Sequence, residues 1–222
     1  MPPIEPSTLG TPLIGREPEI ARLRQTLEEV WRRQGRLALI GGEAGIGKTR
    51  LVEALIMDTL AAGGRVLVGR AHENEQVLPL GPWVDAFRTG EAVVELEVLD
   101  RPWRVELGRL FPELGTPHRD QPAAEDYVRL FEAVARAVDH LLATRPLLLV
   151  LEDLHWADEM TLRMLVFLAR RIAGWPLLLT GTFRPEEMVD SERAGHTTRA
   201  TGLLRPGWPV GATRRSPSLP PR

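Results

Sequence analysis

The residues Gly42-Glu43-Ala44-Gly45-Ile46-Gly47-Lys48-Thr49 carry the most specific chemistry in the chain. They fit the pattern G-x-x-x-x-G-K-[ST] completely. Glycines at these positions let the backbone turn tightly and present a concave row of N–H groups to polyphosphate oxygens. A helix starting at Lys48 adds unpaired donors and a favourable dipole. Lys48 brings a compact charge on a flexible stem to the β- and γ-phosphates, and the Thr49 hydroxyl suits Mg²⁺. Lys48 is the only lysine among 28 basic residues. A forked guanidinium is not an equivalent point charge, so a lysine kept at this one place fits phosphate contact.

A second constellation is acidic. The apolar run Leu147–Leu151 ends in Glu152-Asp153, followed by Leu154-His155-Trp156-Ala157-Asp158. A buried strand of this kind delivers carboxylates to the crevice at the C-terminal edge of a parallel sheet. Glu152 is placed to hold Mg²⁺, directly or through water, and Asp153 to polarise an attacking water. Neighbours on a strand point oppositely, so the chain must already be turning here. Asp158 has two readings, a site carboxylate or the N-cap of a helix beginning near Glu159. His155 and Trp156 either pack or touch nucleotide or a partner. Arg184, after Thr180-Gly181-Thr182-Phe183, leaves its strand at the same edge. It either senses the γ-phosphate or caps the strand. Gly15-Arg16, just before the first helix, is placed to flank an adenine base.

Alternating elements must position these groups. A helix is expected from Glu17 to about Gln34, with Ile20, Leu23, Leu27, Val30 and Trp31 on one face. Strands are expected near 37–41, 66–69, 147–151 and 177–182. Helices are expected over Lys48–Ala61, Pro82–Arg88, Arg104–Phe111 and Ala124–Ala143, and another around Leu162–Ile172. In Ala124–Ala143, Val128, Phe131, Ala135, Val138 and Leu142 share a face. Strands alternating with helices predict a mostly parallel sheet covered on both faces.

The 222 residues are 43% hydrophobic, enough for one real core. No run of about 18 apolar residues is present, so no transmembrane helix is expected. The start lacks a basic region followed by an apolar core, so no secretory signal is expected. There is no cysteine, which excludes disulfides, zinc thiolates and cysteine nucleophiles. A reducing cytoplasm fits. The net charge of -2 hides an asymmetry: residues 191–222 hold six Arg against one Glu, and the remainder is acidic. The body carries no nucleic-acid footprint, so direct DNA binding is not expected.

These motifs together resemble one family. LIGRE before an amphipathic helix, GGEAGIGKTR, GRAHENEQVLPLGPWVDAFR, PLLLVLEDLHWADEMTLRML and LLLTGTFRPEE look like the AAA-type ATPase domain of the STAND signalling ATPases. Such domains stand at the front of large LuxR-type transcriptional regulators. The likeness covers about residues 12–188. It implies a P-loop NTPase of the ASCE/AAA type, a three-layer α/β/α fold with a mostly parallel sheet, and ATP and Mg²⁺ as cofactors. By this likeness Gly42–Thr49, with Arg50 beyond, is the Walker A segment and Glu152-Asp153 the Walker B pair. Arg184 is the sensor-1-like residue, Gly15-Arg16 lie on the adenine side, and Leu154–Asp158 is a run characteristic of the group. Many relatives have Asp where this chain has Glu152. Relatives also continue into a fifth core strand, a helical lid and further domains, which makes the core expected here incomplete.

The expected organisation is an extended lead-in over 1–13, the ATPase domain over 14–190, and a disordered Arg/Pro-rich tail over 191–222 that does not pack on the core. The resemblance implies strand order 1-4-3-2, with the strand before the glycine loop at an open edge available for self-association. Two functions follow. One is an ATP-binding regulatory module that hydrolyses ATP slowly, using Lys48, Asp153 and Arg184. The other is a non-catalytic nucleotide-binding fragment of a truncated or frame-shifted transcriptional activator.

Overall fold

The computed structural model describes residues 15–73, 79–115, 126–187 and 212–214. The elements run α1 (Glu17–Trp31), β1 (Arg36–Gly41), α2 (Lys48–Ala61), β2 (Arg65–Arg70), α3 (Gly81–Thr89), α4 (Arg101–Leu107), α5 (Asp126–Leu142), β3 (Leu147–Glu152), α6 (Glu159–Ala169), β4 (Leu177–Phe183) and β5 (Ala212–Arg214). Short 3₁₀ turns cover Val93–Val98, Pro112–Leu114 and Leu154–Trp156.

The sheet order is β2-β3-β4-β1-β5, with the first four strands parallel. That is the expected order 1-4-3-2. β1, β3 and β4 are buried along their whole length, in keeping with the apolar runs Leu37–Ile40, Leu147–Leu151 and Leu177–Leu179 within them. β2, at the edge, alternates buried and partly exposed residues. Successive side chains leave a strand on opposite faces, and this splits the core in two. Leu37, Leu39, Leu149, Leu151 and Leu179 join the cluster that includes residues of α3, α5 and α6. Ala38, Ile40, Leu148, Val150 and Leu178 pack with Leu23, Leu27 and Val30 of α1 and with Leu51, Val52 and Leu55 of α2. The result is helices on both faces of a parallel sheet.

The proline-cut stretch after β2 is part of the main core. Trp83, Phe87, Leu96, Leu107 and Phe111 are all 1% exposed or less. α3 lies so close to β2 that a Cβ on Gly69 would run into the Pro82 carbonyl, so only glycine fits there. The helix expected over Arg104–Phe111 is found earlier, at Arg101–Leu107, because Pro102 suits a first turn. In α5 the buried stripe begins at Leu130 and Phe131. Val128 is 65% exposed, contrary to its expected place on that face.

One edge differs from expectation. β5 pairs antiparallel with β1, Leu37 opposite Arg214 and Leu39 opposite Ala212. The tail therefore does pack on the core at Ala212–Arg214, and the edge proposed for self-association is covered along Leu37–Leu39. Low apolar content did not forbid this. Unpaired edge N–H and C=O groups are satisfied by any backbone, and strand pairing needs no apolar side chain. The lead-in, and the tail apart from those three residues, lie outside the described residues.

Candidate functional site

The four parallel strands end at one level. Gly41 is opposite Phe183, Arg70 opposite Glu152 and Leu151 opposite Gly181. Everything that follows a strand C-terminus is thereby brought to one edge. There a cavity of about 360 Å³ is lined by Ala44, Gly45, Gly47, Lys48, Thr49, Arg70, Asp153 and Arg184. The glycine loop, the acidic strand end and the arginine after β4 thus meet as the sequence implied.

Gly45 and Gly47 have φ of 74° and 97°, the left-handed region where a side chain is strained. Gly47 also begins α2, and no side chain caps that helix. Its first N–H groups are available to a ligand at the cavity. Lys48 bends back along the loop, and its Nζ donates to the carbonyls of Gly42 at 2.6 Å and Glu43 at 2.9 Å. Burial lowers the Lys48 pKa and the Arg184 charge lowers it further, while Asp153, Glu186 and Glu187 pull it up. The Gly42 N–H donates to the Phe183 carbonyl at 3.3 Å, tying the loop to β4.

The outer parts of the loop divide. Arg16 donates through Nη2 to the Ile46 carbonyl at 3.1 Å and pairs with Glu19 at 2.9 Å. Gly15 has φ of 81°, and its N–H donates to the Glu17 carboxylate at 3.2 Å. Both therefore sit against the outer loop and the start of α1. Arg50 points along α2 to Glu53 at 3.9 Å, and neither it nor Arg16 lines the cavity.

The strand turns where the acidic pair requires it. Asp153 has φ of 57°, and its N–H donates to the Thr182 hydroxyl at 3.0 Å. This swings its carboxylate to the cavity, whereas Glu152 stays in the sheet with a side chain 8% exposed. Glu152 is held by Arg70, whose Nη2 lies 2.5 Å and Nε 3.2 Å from Oε2. Arg70 is a site residue that sequence reasoning missed. Its only signal was its place as the last residue of the strand paired with β3.

Arg184 donates from Nη1 to the Glu187 carboxylate at 2.5 Å, and this bond raises its pKa. The other Glu187 oxygen is 3.2 Å from Nε2 of His155, whose side chain is wholly buried. His155 is thus a packed residue beside the site. Leu154 packs where a Cβ on Gly181 would otherwise stand. Asp158 is the N-cap of α6: it accepts from the Thr161 N–H at 3.0 Å and the Thr161 hydroxyl at 2.5 Å. It also accepts from the Leu80 N–H at 3.1 Å, fastening the segment before α3. Asp158→Ala should lower stability by about 2 kcal/mol, for a lost cap and lost buried bonds, and leave nucleotide affinity unchanged. Thermal melts beside calorimetric titration check both halves.

The profile of the AAA ATPase domain matches residues 12–179, most of the chain and nearly all of the sheet that builds the cavity. The chain belongs to the AAA ATPase domain family. An uncharacterized protein of Rhizobium meliloti (strain 1021) is 30% identical over 220 residues, which cover 89% of this chain and 21% of that protein. The chain thus spans about a fifth of the length of this relative. Among the described residues of the AAA domain, no helix is long and apolar enough to cross a membrane.

Mg²⁺ accompanies nucleotide in this family, and the donor set suits it. Among the described residues no group of three or more His, Cys, Asp or Glu forms a protein cage. Mg²⁺ instead takes one or two protein oxygens together with phosphates and water. The Thr49 hydroxyl and the Asp153 carboxylate line the cavity, whereas Glu152, the expected metal carboxylate, is not among its lining residues and borders it through Arg70, whose cationic group it already receives. His155 adds a pH dependence. Burial pushes its imidazole below the ordinary histidine pKa, more strongly than Glu187 and Asp153 raise it. The folded AAA domain therefore resists protonation there. Its contribution to stability is fully present above about pH 6.5 and is lost as the pH falls through the lowered folded value. Melting temperature should drop on acidification more steeply in the unmutated chain than in His155→Gln.

Proposed function

We propose that this chain is the ATP-binding regulatory module of a STAND/LuxR-type signalling regulator, binding ATP with Mg²⁺ and hydrolysing it slowly. The carrying observation is the single cavity that gathers the glycine loop, Lys48, Thr49, Asp153 and Arg184 at the C-terminal edge of the sheet. The regulatory context is supported by the set of motifs from LIGRE to FRPEE and by the greater length of the Rhizobium meliloti relative.

The residues have distinct tasks in this reading. Loop N–H groups and the start of α2 bind the phosphates, and Lys48 leaves the Gly42 and Glu43 carbonyls to reach them. Thr49 and Glu152 would hold Mg²⁺, which when bound neutralises phosphate charge. Asp153 orients a water for in-line attack on the γ-phosphorus. Arg184 exchanges Glu187 for the γ-phosphate and so tells ATP from ADP. Gly15, Arg16 and the outer loop residues Glu43, Ala44 and Ile46 flank the nucleotide, with Arg50 beyond.

Calorimetric titration of the full chain with ATP and ADP, each with Mg²⁺ and with chelator, tests this. Saturable ATP binding strengthened by Mg²⁺ is the expected result. Absence of binding under all four conditions overturns it.

A further inference from the structure

One guanidinium reaches both carboxylates of the acidic pair, Asp153 in the cavity and Glu152 behind it. Arg70 ends β2 directly opposite Glu152, where parallel pairing holds the two side by side. Both Nε and Nη2 donate to the same oxygen, Glu152 Oε2, and Nε lies 3.8 Å from Asp153 Oδ2. The Arg70 N–H donates to Asp85 Oδ2 at 3.1 Å, which fixes the strand end. The Arg70 side chain is 46% exposed against 8% for Glu152, and Arg70 lines the same cavity as Lys48 and Thr49.

We propose that Arg70 occupies the place a divalent cation takes at Glu152, so that Arg70 sets the Mg²⁺ concentration at which nucleotide binding tightens. This rests on the nucleotide–Mg²⁺ reading above. A carboxylate as buried as Glu152 is costly without a positive partner. Arg70 supplies that partner while Mg²⁺ is away, which keeps the Glu152 carboxylate aimed. The guanidinium and a metal ion are like charges drawn to the same carboxylate, so each weakens the hold of the other on it. The outcome of the exchange depends on what receives the guanidinium. Its half-exposed stem lets it move toward the cavity, where phosphate oxygens accept a planar fork as readily as a carboxylate does. Mg²⁺ without nucleotide faces the full competition, and Mg²⁺ arriving with phosphates faces less. Arg70 is thus a positioning residue that favours loading of metal and nucleotide together.

The test is ATP affinity of the full chain, measured by calorimetry across a range of free Mg²⁺, for the unmutated protein, R70Q and R70K. R70Q should lower the Mg²⁺ concentration that gives half of the metal-dependent tightening by about fivefold, the effect of one half-exposed charge-assisted contact. R70K keeps the charge without the paired donors and should fall between the two. The graded order of a metal midpoint, lowest in R70Q, intermediate in R70K and highest in the unmutated chain, is one that a merely structural role of Arg70 would not produce. An unchanged or raised Mg²⁺ midpoint in both R70Q and R70K, with normal ATP binding, overturns the competition and leaves the nucleotide reading standing. Failure of the unmutated chain to bind ATP at any Mg²⁺ concentration overturns the nucleotide reading itself. If R70Q does not fold, R70K alone decides.

Discussion

Lys48→Ala weakens ATP binding by more than about tenfold, the value of a charge-assisted bond to phosphate. The fold should survive, because the Lys48 side chain donates only to the Gly42 and Glu43 carbonyls of the loop. No buried carboxylate depends on it. Lys48→Arg should not rescue binding, since the forked head is bulkier and cannot bend into the same loop. Calorimetric titration with ATP and Mg²⁺ measures the loss, and thermal melts show whether the fold persists. Equal affinity in the unmutated chain and Lys48→Ala would remove the glycine loop from the nucleotide assignment.

Asp153→Asn keeps ATP–Mg²⁺ binding near normal and lowers single-turnover phosphate release by about a hundredfold, the lower end of a general-base contribution. Asparagine is a clean probe here. It is nearly the same size, and it tolerates the left-handed φ of 57° that most residues resist. The N–H bond to Thr182 belongs to the backbone and is unaffected. An interaction made mainly in the transition state shows in turnover and not in affinity. Glu152→Gln separates from it by losing Mg²⁺-dependent affinity as well. Turnover by the unmutated chain that Asp153→Asn matches would show that Asp153 does not orient the water. ATP binding with no release from any of the three proteins would favour the non-catalytic reading.

The elements and their contents were legible where one physical signal dominates. β1, β3 and β4 are buried on both faces, so apolar runs alone marked them. The glycine loop was legible because its backbone geometry demands particular residues, and α2 begins and ends where the sequence put it. Arg70 was not legible, because its role comes from being opposite Glu152 across two strands far apart in sequence. Register is a property of pairing and leaves no trace in local composition. Glu187 escaped for the same reason: it matters through Arg184 and His155, which only the folded chain brings to it. β5 escaped because backbone pairing selects for almost no side-chain pattern.

The sheet order also has a consequence for how the molecule assembles. β1 carries the glycine loop near the start of the chain, yet its parallel partner is β4, with most of the chain between them. Closing so long an intervening segment costs entropy that local contacts do not repay, so this pairing belongs to the slow, non-local part of folding. β3 and β4, separated by α6 alone, can pair first. β1 then enters beside β4, bringing the loop alongside Asp153 and Arg184 in one step. A chain that has emerged only as far as β3 would hold every loop residue and no site. Competence to bind nucleotide therefore reports that β4 has been made and docked, and a bound nucleotide would stabilise the β1–β4 pairing.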